Sequence, residues 1–577
     1  MITKTKDIVI YGAGFAGCAA TLKAATTAPN KTIALIVTDP IKIDPDSTLR
    51  VPLDDGKALG GIGTIGGQNY WDRRTWGGNV QKSSFEYWYN LFGQAYSTEE
   101  MSQELVDEIT AYSNVEVFYA YDIYDFDTAT SPYRITAIYL KGIERQTTSQ
   151  RRVIFDLYCE NIKINGTVFI DASEDGKLTR SVNFGGTTGR YDWPAGKLDS
   201  SEQGTNGKPR QQAATLMFKI KGFDPSVIEN TSDTGVTLSK SGGVLYSAYG
   251  GTKQYKENST IIDFNDEYGP TGFALKPFNM GVDVRNGTNR KNWEWWINCF
   301  LVFNVDGRAC YRDDSNSVNS NIYPQDKRSD YYTTDEGWKR AYNFLNNSTK
   351  GTALLNAIRQ FPGFADVEYV KENNKVVVGE VLYLRETVHM AINSQNRANG
   401  TEDTNYQLGA MESYWSGEIP TGGYDSGNYT TRIGLGYCYT DINAYKYEDL
   451  KWPVPGSDDP DDMEYIWDYD IAQKLRADTW PSGENPKTPH NPVYIPYKAL
   501  TTNYVANLLI PGYAVGASSF AWAELRVLPN LCVLGDAAGV AAAYAVNNGI
   551  HPLQFTSTHI TAVQNLLVNT HLARLEK

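Results

Sequence analysis

Apolar positions along this chain fall into three regimes. Near the start, Ile8 to Tyr11 is an unbroken apolar run containing β-branched residues, the pattern of a strand buried on both faces of a parallel sheet. Gly12, Ala13, Gly14 and Gly17 follow at once, then small helix-forming residues from Cys18 to Ala25 and a second buried run, Ile33 to Val37. This order predicts a βαβ-like unit. Helices are predicted from Ser83 to Phe92 and from Glu99 to Thr110. From Val115 the period changes to two: VEVFYAYDIYDFD, RITAIYLKGIE and RRVIFDLYCENIKI, separated by polar turns, predict a three-stranded antiparallel meander. TVFID, Thr167 to Asp171, reads as a further buried strand.

Between about Tyr191 and His490 the chain is richer in Tyr, Trp, Asn, Asp and Gly. Strands are expected at Ala214 to Lys221 and Trp295 to Val305, and helices at Asp335 to Leu345 and Thr352 to Gln360. The last part returns to the opening style. Leu531 to Leu534 reads as a strand, Gly535-Asp536 as a turn and Ala537 to Val546 as a helix. The pattern as a whole is α/β: a Rossmann-like domain with a parallel sheet and an antiparallel β-meander (residues 1–190 and 491–577), enclosing an inserted mixed α+β domain (191–490).

The glycine turn carries the first chemistry. Gly12, Gly14 and Gly17 have the G-x-G-x-x-G spacing, in which the first glycine permits the turn, the second admits a pyrophosphate and the third lets helix and strand approach. A helix N-terminus behind such a turn points N–H groups and its positive dipole end at the phosphate. Asp39, 27 positions after Gly12, either meets a ribose hydroxyl or is a turn residue ahead of Pro40. A second loop, KALGGIGTIGGQN from Lys57 to Asn69, has five glycines and no regular periodicity, which suits close approach of backbone to a ligand.

A net charge of −14 argues against nucleic acid or an anionic membrane as the main partner. The most apolar stretch, Leu531 to Val546, is too short to span a bilayer. With the first strand starting close to Met1 there is no room for a cleavable signal, so the expected location is cytoplasmic. Six cysteines without a C-x-x-C pair indicate neither an iron–sulfur cluster nor structural zinc, and no metal is expected.

Three separated stretches, the glycine turn, the strand ending at Asp171 and the Gly535-Asp536 segment, together resemble the FAD-dependent oxidoreductases of the glutathione-reductase-like fold. More narrowly they resemble the bacterial FAD-dependent oxidoreductase type, through Leu59-Gly60-Gly61 with Thr64, PGFADVEYV leading to Leu384-Arg385-Glu386-Thr387, Ile433-Gly434-Leu435-Gly436 with Thr440-Asp441-Ile442-Asn443, and the terminal YIPYKAL, NLLIPG, LRVLP and GDAAGVAAA. Two departures stand out: that type often has Gln where this chain has Asp536, and Glu where it has Thr38 or Asp39. The resemblance implies FAD as cofactor. Gly12, Ala13, Gly14 and Gly17 would cradle the pyrophosphate, Gly60, Gly61 and Thr64 would run beside the flavin, Asp171 and Ala172 would border the cofactor, and Asp536, with Gly535, Ala538 and Gly539, would meet the ribitol.

The expected activity is oxidation of a small organic substrate, sugar-like or polyhydroxylated compounds being one class, with hydride accepted at flavin N5 and electrons passed to oxygen or an unknown acceptor. Two alternatives stay open: a flavin-dependent monooxygenase, and a non-catalytic flavin- or carbohydrate-binding protein. The catalytic candidates are Arg385, Glu386 and His389, with His490 as the other histidine in reach of neutral-pH base chemistry. Arg385 and Glu386 read equally well as an ion pair. Trp293, Trp295 and Trp296 are either core or the wall of a ligand pocket.

Overall fold

Ile8–Tyr11 lies at the centre of a parallel sheet, as its unbroken apolar pattern requires. The computed structural model describes residues 1–39, 41–43, 50–52, 59–146, 151–182, 186–193, 195–204, 207–389, 426–457, 459, 462–467, 470–471 and 492–577. Strand β1 (Ile2–Tyr11) pairs in parallel with β2 (Ile33–Val37) on one side and with Ile162–Asp171 on the other, Ile8 facing Ile33 and Val168. Val115–Tyr119 extends the sheet beyond β2, and Leu508–Leu509 extends it beyond Ile162–Asp171. Ile8, Val9, Ile10 and all of β2 are fully buried. Helix α1 (Phe15–Thr27) follows the glycine turn.

The meander differs in detail from its alternation. The first predicted strand breaks at Ala120, which takes a left-handed φ of 54°, so that Val115–Tyr119 joins the parallel sheet and only Tyr121–Thr130 pairs antiparallel with Tyr133–Arg145. Alternation cannot distinguish these, because a kink changes the partner without changing the period. The third predicted strand divides into Val153–Phe155 and the start of Ile162–Asp171, which also contains TVFID. The first half of that strand pairs antiparallel with Tyr133–Arg145, and its second half pairs in parallel with Leu508–Leu509.

The middle region contributes a second, antiparallel sheet. Its order is Val236–Ser241, Val244–Gly250, Phe273–Val284, Glu294–Val302, Phe218–Lys221 and Glu368–Tyr369, with Ala214–Thr215 also on Glu294–Val302. Trp295 and Trp296 are buried in it, and the ring of Trp296 covers Gly67. Thr334–Leu345 and Ser348–Ile358 are helical, close to expectation.

The C-terminal expectation is corrected. Leu528–Asn548 is one continuous helix of 21 residues, so Leu531 to Leu534 is not a strand and Gly535-Asp536 is not a turn. It is long and apolar enough to cross a membrane by length and composition, yet most of it is buried inside the protein. Its small residues explain the misreading: a Cβ at Gly535 would come 2.2 Å from the carbonyl oxygen of Ala16, and one at Gly539 2.3 Å from that of Ala20. Glycine here permits α1 and this helix to cross with backbones in contact. Each glycine costs about 1 kcal/mol of helix propensity relative to alanine.

Candidate functional site

The glycine turn is held from both sides. Gly12 has φ +95°, and a Cβ there would sit 2.8 Å from the Ser173 nitrogen, while a Cβ at Gly17 would meet the Gly12 carbonyl oxygen at 1.9 Å. Gly12 therefore needs a left-handed backbone, and Gly17 needs the absence of a side chain for α1 to pack on the turn. Gly14 differs from both. It caps α1 with ordinary φ and no side-chain cap bond, and a Cβ built on it meets no atom within 4 Å. An open cradle thus lies over the N-terminal N–H groups of the helix, the arrangement that attracts a phosphate.

The second glycine loop closes on this cradle. The N–H of Gly60 donates to the Ala13 carbonyl at 2.8 Å, and a Cβ at Gly61 would lie 3.2 Å from the Gly14 Cα. Gly61 lines the cavity, whereas Thr64 is buried and donates its hydroxyl to the Leu59 carbonyl at 2.5 Å, within its own loop. On the opposite side stands the loop after Asp171. Asp171 accepts from the backbone N–H and hydroxyl of both Ser173 and Thr179, at 2.6 to 3.1 Å, and so fixes the loop from behind, while Ala172, Ser173 and Glu174 face the cavity. Burial raises the Asp171 carboxyl above its ordinary range.

The cavity encloses about 980 Å³ of atom-free space, its open mouth included. Thr38 and Asp39, just after β2, line it together with Arg145 and Val153. Residues far along the chain complete the walls: Cys310, Arg312, Thr334, Asp335 and Trp338 from one segment, and Leu382 and Leu384 from another. Arg145 stacks 4.2 Å over the Trp338 ring and donates to the Glu380 carbonyl at 2.6 Å. Arg312 is held by Asp122, which also accepts from Lys177 at 2.6 Å and from the Tyr11 hydroxyl at 2.7 Å. Burial opposes the Asp122 charge, but Lys177 and Arg312 outweigh it and hold this carboxyl well below the usual range. These buried charges tie the residue before Gly12 to the cavity wall.

Two acidic groups facing the cavity, Asp39 and Glu174, behave in the opposite way. Burial pushes the Asp39 carboxyl up to about 7 against the pull of Arg145 and Arg312. Glu174 is pushed up to about 8 by burial and by the charges of Asp39 and Asp175. Both therefore carry protons readily near neutral pH.

Asp536 lies elsewhere. It sits within helix Leu528–Asn548 and accepts from the backbone N–H of Ser84 at 3.2 Å and its hydroxyl at 2.6 Å, at the start of helix Ser84–Phe92. Ala538 is buried in the same helix, and Gly535, Asp536, Ala538 and Gly539 line no part of the cavity. The segment that follows a parallel strand and meets the cavity loop is instead Pro511-Gly512: Gly512 comes after Leu508–Leu509, and a Cβ on it would lie 2.5 Å from the Ser173 carbonyl oxygen. Its sequence signal, NLLIPG, is an apolar run broken by Pro-Gly, and it is shorter than the run at Leu531.

Arg385 and Glu386 are buried but do not pair with each other. Arg385 bonds Asp441 at 2.9 Å, and Glu386 accepts from the Tyr445 hydroxyl at 2.7 Å and from Gln212 at 3.1 Å. The segment is extended rather than helical, and the backbone of His389 pairs with Thr187. His490 lies outside the described residues. Nothing in the spacing of the sequence marks Arg145, Arg312 or Trp338 as neighbours of the glycine turn.

Fold and turn together define a dinucleotide-binding protein of the Rossmann-like kind. The sequence model of the family described as FAD dependent oxidoreductase matches residues 465–567, the stretch that contains Leu508–Leu509, Gly512 and the helix packed on α1. Over that stretch the chain is similar to the FAD-dependent oxidoreductases, a similarity that supports an enzymatic role and FAD as cofactor. A comparison with curated proteins finds no match. Among solved structures, the chain is similar to a geranylgeranyl bacteriochlorophyll reductase-like protein from Thermoplasma acidophilum, with 8% identity, 99% of this chain and 84% of that one covered, and a TM-score of 0.33. It is also similar to the flavin-dependent brominase Bmp2, with 10% identity over 67% of this chain and 68% of that one and a TM-score of 0.29. A third is FrdA of E. coli quinol fumarate reductase, with 12% identity, 99% and 75% covered, and a TM-score of 0.27.

Proposed function

We propose that the protein oxidises a small organic substrate by removing a hydride from a C–H bond, with FAD held in the cavity over Gly14. The observation that carries the reading is the empty space above the Gly14 Cα, framed by the N-terminus of α1 and by Gly61. Gly12, Ala13, Gly14 and Gly17 shape the pyrophosphate cradle, Asp39 stands where a ribose hydroxyl arrives, and Gly61 and Ala172 border the course of the cofactor. Bound FAD supplies a two-electron acceptor there.

The chain's own residues supply the rest. Leu382 and Leu384 line the cavity and exclude water from it. Arg385, next to Leu384, holds the substrate, and Glu386 or His389 accepts the proton released as hydride leaves. Gly60, Thr64 and Asp171 shape the loops beside the cofactor, and Gly535, Asp536, Ala538 and Gly539 set the helix behind the turn; their bonds and packing support this indirect part. Residues 1–190 and 491–577 form the FAD-binding part around a substrate-binding insert, which also lends Arg312 and Trp338 to the cavity wall. Oxygen or another acceptor takes the electrons onward.

Anaerobic mixing of the flavoprotein with a panel of sugars, amines and hydroxy acids tests this. One class should bleach the oxidised-flavin absorbance. A flavin reduced by no member of the panel would favour the non-catalytic reading.

A further inference from the structure

A second polar cluster stands behind the Leu382–Leu384 wall. In the extended segment there, Leu382 and Leu384 face the cavity, and the intervening Tyr383 and following Arg385 join Asp441 and Arg526. Arg526 donates to the Tyr383 hydroxyl at 2.7 Å, and both guanidiniums share one Asp441 carboxylate oxygen. The Tyr513 ring packs 4.8 Å from that of Trp522, whose indole N–H bonds the Arg385 carbonyl at 3.0 Å. Tyr513 comes directly after Gly512, and its N–H donates to the Ser173 carbonyl at 3.1 Å, so the cluster abuts the cavity loop.

Three buried donors in this cluster have no hydrogen-bond partner: Arg385 Nε, Arg526 Nε and the Tyr513 hydroxyl. All three side chains are at least 98% buried. Unsatisfied buried donors are costly, and native structures keep few of them. Charge points the same way. Two arginines and Lys276 face only two carboxylates, Asp441 and Asp72, the latter pushed up to about 6 by burial and by Asp441. Burial disfavours the Asp441 charge, but Arg526 and Arg385 outweigh it and keep that group ionised. The cluster is therefore cationic, with donors to spare.

We propose that Arg385, Arg526 and Tyr513 form the binding site for a carboxylate group on the substrate. This rests on the oxidation proposed above and narrows its substrate to small carboxylates bearing an oxidisable C–H. A carboxylate brings acceptor oxygens to three unmet donors and balances the excess positive charge, and the planar guanidiniums suit it geometrically.

The FAD-loaded protein is titrated with oxalate, and with uncharged oxamide as control, following the flavin spectrum and the unfolding temperature. Oxalate should perturb the flavin bands and raise the unfolding temperature, and oxamide should do neither. Tyr513→Phe, which deletes a hydroxyl without a partner, should keep its flavin and unfold no earlier than wild type, yet bind oxalate at least about fivefold more weakly. Asp441→Asn should bind oxalate several-fold more tightly. Failure of oxalate to bind a protein that holds FAD, or unchanged affinity in Tyr513→Phe, overturns the proposal and leaves the oxidase reading intact. A protein whose flavin no substrate reduces, yet which binds oxalate as described, overturns that reading instead.

Discussion

Gly61 stands over Gly14, close enough that a Cβ on the first would lie 3.2 Å from the Cα of the second, while a Cβ on Gly14 itself would point into open space. The two glycines therefore do different work. Gly61 allows two loops to close, and Gly14 keeps a ligand cradle clear. A branched side chain at Gly14 should block the cofactor and spare the fold. We expect Gly14→Val to purify without flavin, with an unfolding temperature close to that of wild type stripped of FAD. Normal flavin content in the variant would remove the cradle from the account.

Gly535 should behave in the opposite way. Its contact with the Ala16 carbonyl is helix packing, so even Gly535→Ala forces the two helices apart, and we expect a loss of about 1 to 3 kcal/mol in denaturant unfolding. Its flavin content per folded molecule should stay near wild type. Equal stability in the variant would show that the helices separate without strain.

FAD affinity should fall as pH rises. The Asp39 and Glu174 carboxyls titrate near 7 and 8 in the folded protein, above their unfolded values, so both are largely protonated at pH 6 and ionised by pH 9. A pyrophosphate anion entering beside them favours the protonated forms, and binding takes up protons. By the same sign, these groups cost the cofactor-free protein stability progressively from about pH 4, with the loss complete once the folded groups ionise above about pH 8. FAD titration at pH 6.5 and 8.5 should show roughly tenfold weaker binding at the higher value. Glu174→Gln should flatten that difference, and an unchanged slope would contradict the assignment.

The charge group behind the turn is a stability element. Asp122 holds Lys177, Arg312 and the Tyr11 hydroxyl, all with little or no exposure. Asp122→Asn removes the carboxylate that bonds Arg312 and leaves Lys177 with Asp313 alone, and we expect a loss of roughly 3 to 5 kcal/mol in denaturant unfolding. Arg312→Met should lose less stability and weaken FAD binding, because the residue also lines the cavity. Wild-type FAD affinity in Arg312→Met would confine that residue to the structural network.

Arg385→Ala and His389→Ala should retain the flavin spectrum but slow reduction by substrate, by about 10²-fold where base help is lost. Rapid-mixing reduction rates decide it. Unchanged rates in both variants would return the segment to a structural part.

The opening unit was legible because each of its features is local: a buried run, three spaced glycines, and a helix of small residues. Asp171 at a strand end and the two loop glycines were legible for the same reason. At Gly535 the same logic misled about local structure, since small residues that let two helices touch look like those of a tight turn between strand and helix. Gly512 carries the shorter of two similar signals, and only the pairing of Leu508–Leu509 with Phe169 and Ile170 separates them. Arg145, Arg312 and Trp338 lie 133, 300 and 326 positions after Gly12, and their convergence on the turn depends on the tertiary fold alone. The three unmet donors at Arg385, Arg526 and Tyr513 are likewise a property of packing that no spacing encodes.

The most direct test is FAD titration of deflavinated protein beside its Gly14→Val variant, followed by flavin fluorescence. The account predicts uptake of one FAD per wild-type chain, released again on heat denaturation, and none by the folded variant. A folded wild-type protein that takes up no FAD, or a variant that takes it up equally well, would contradict it.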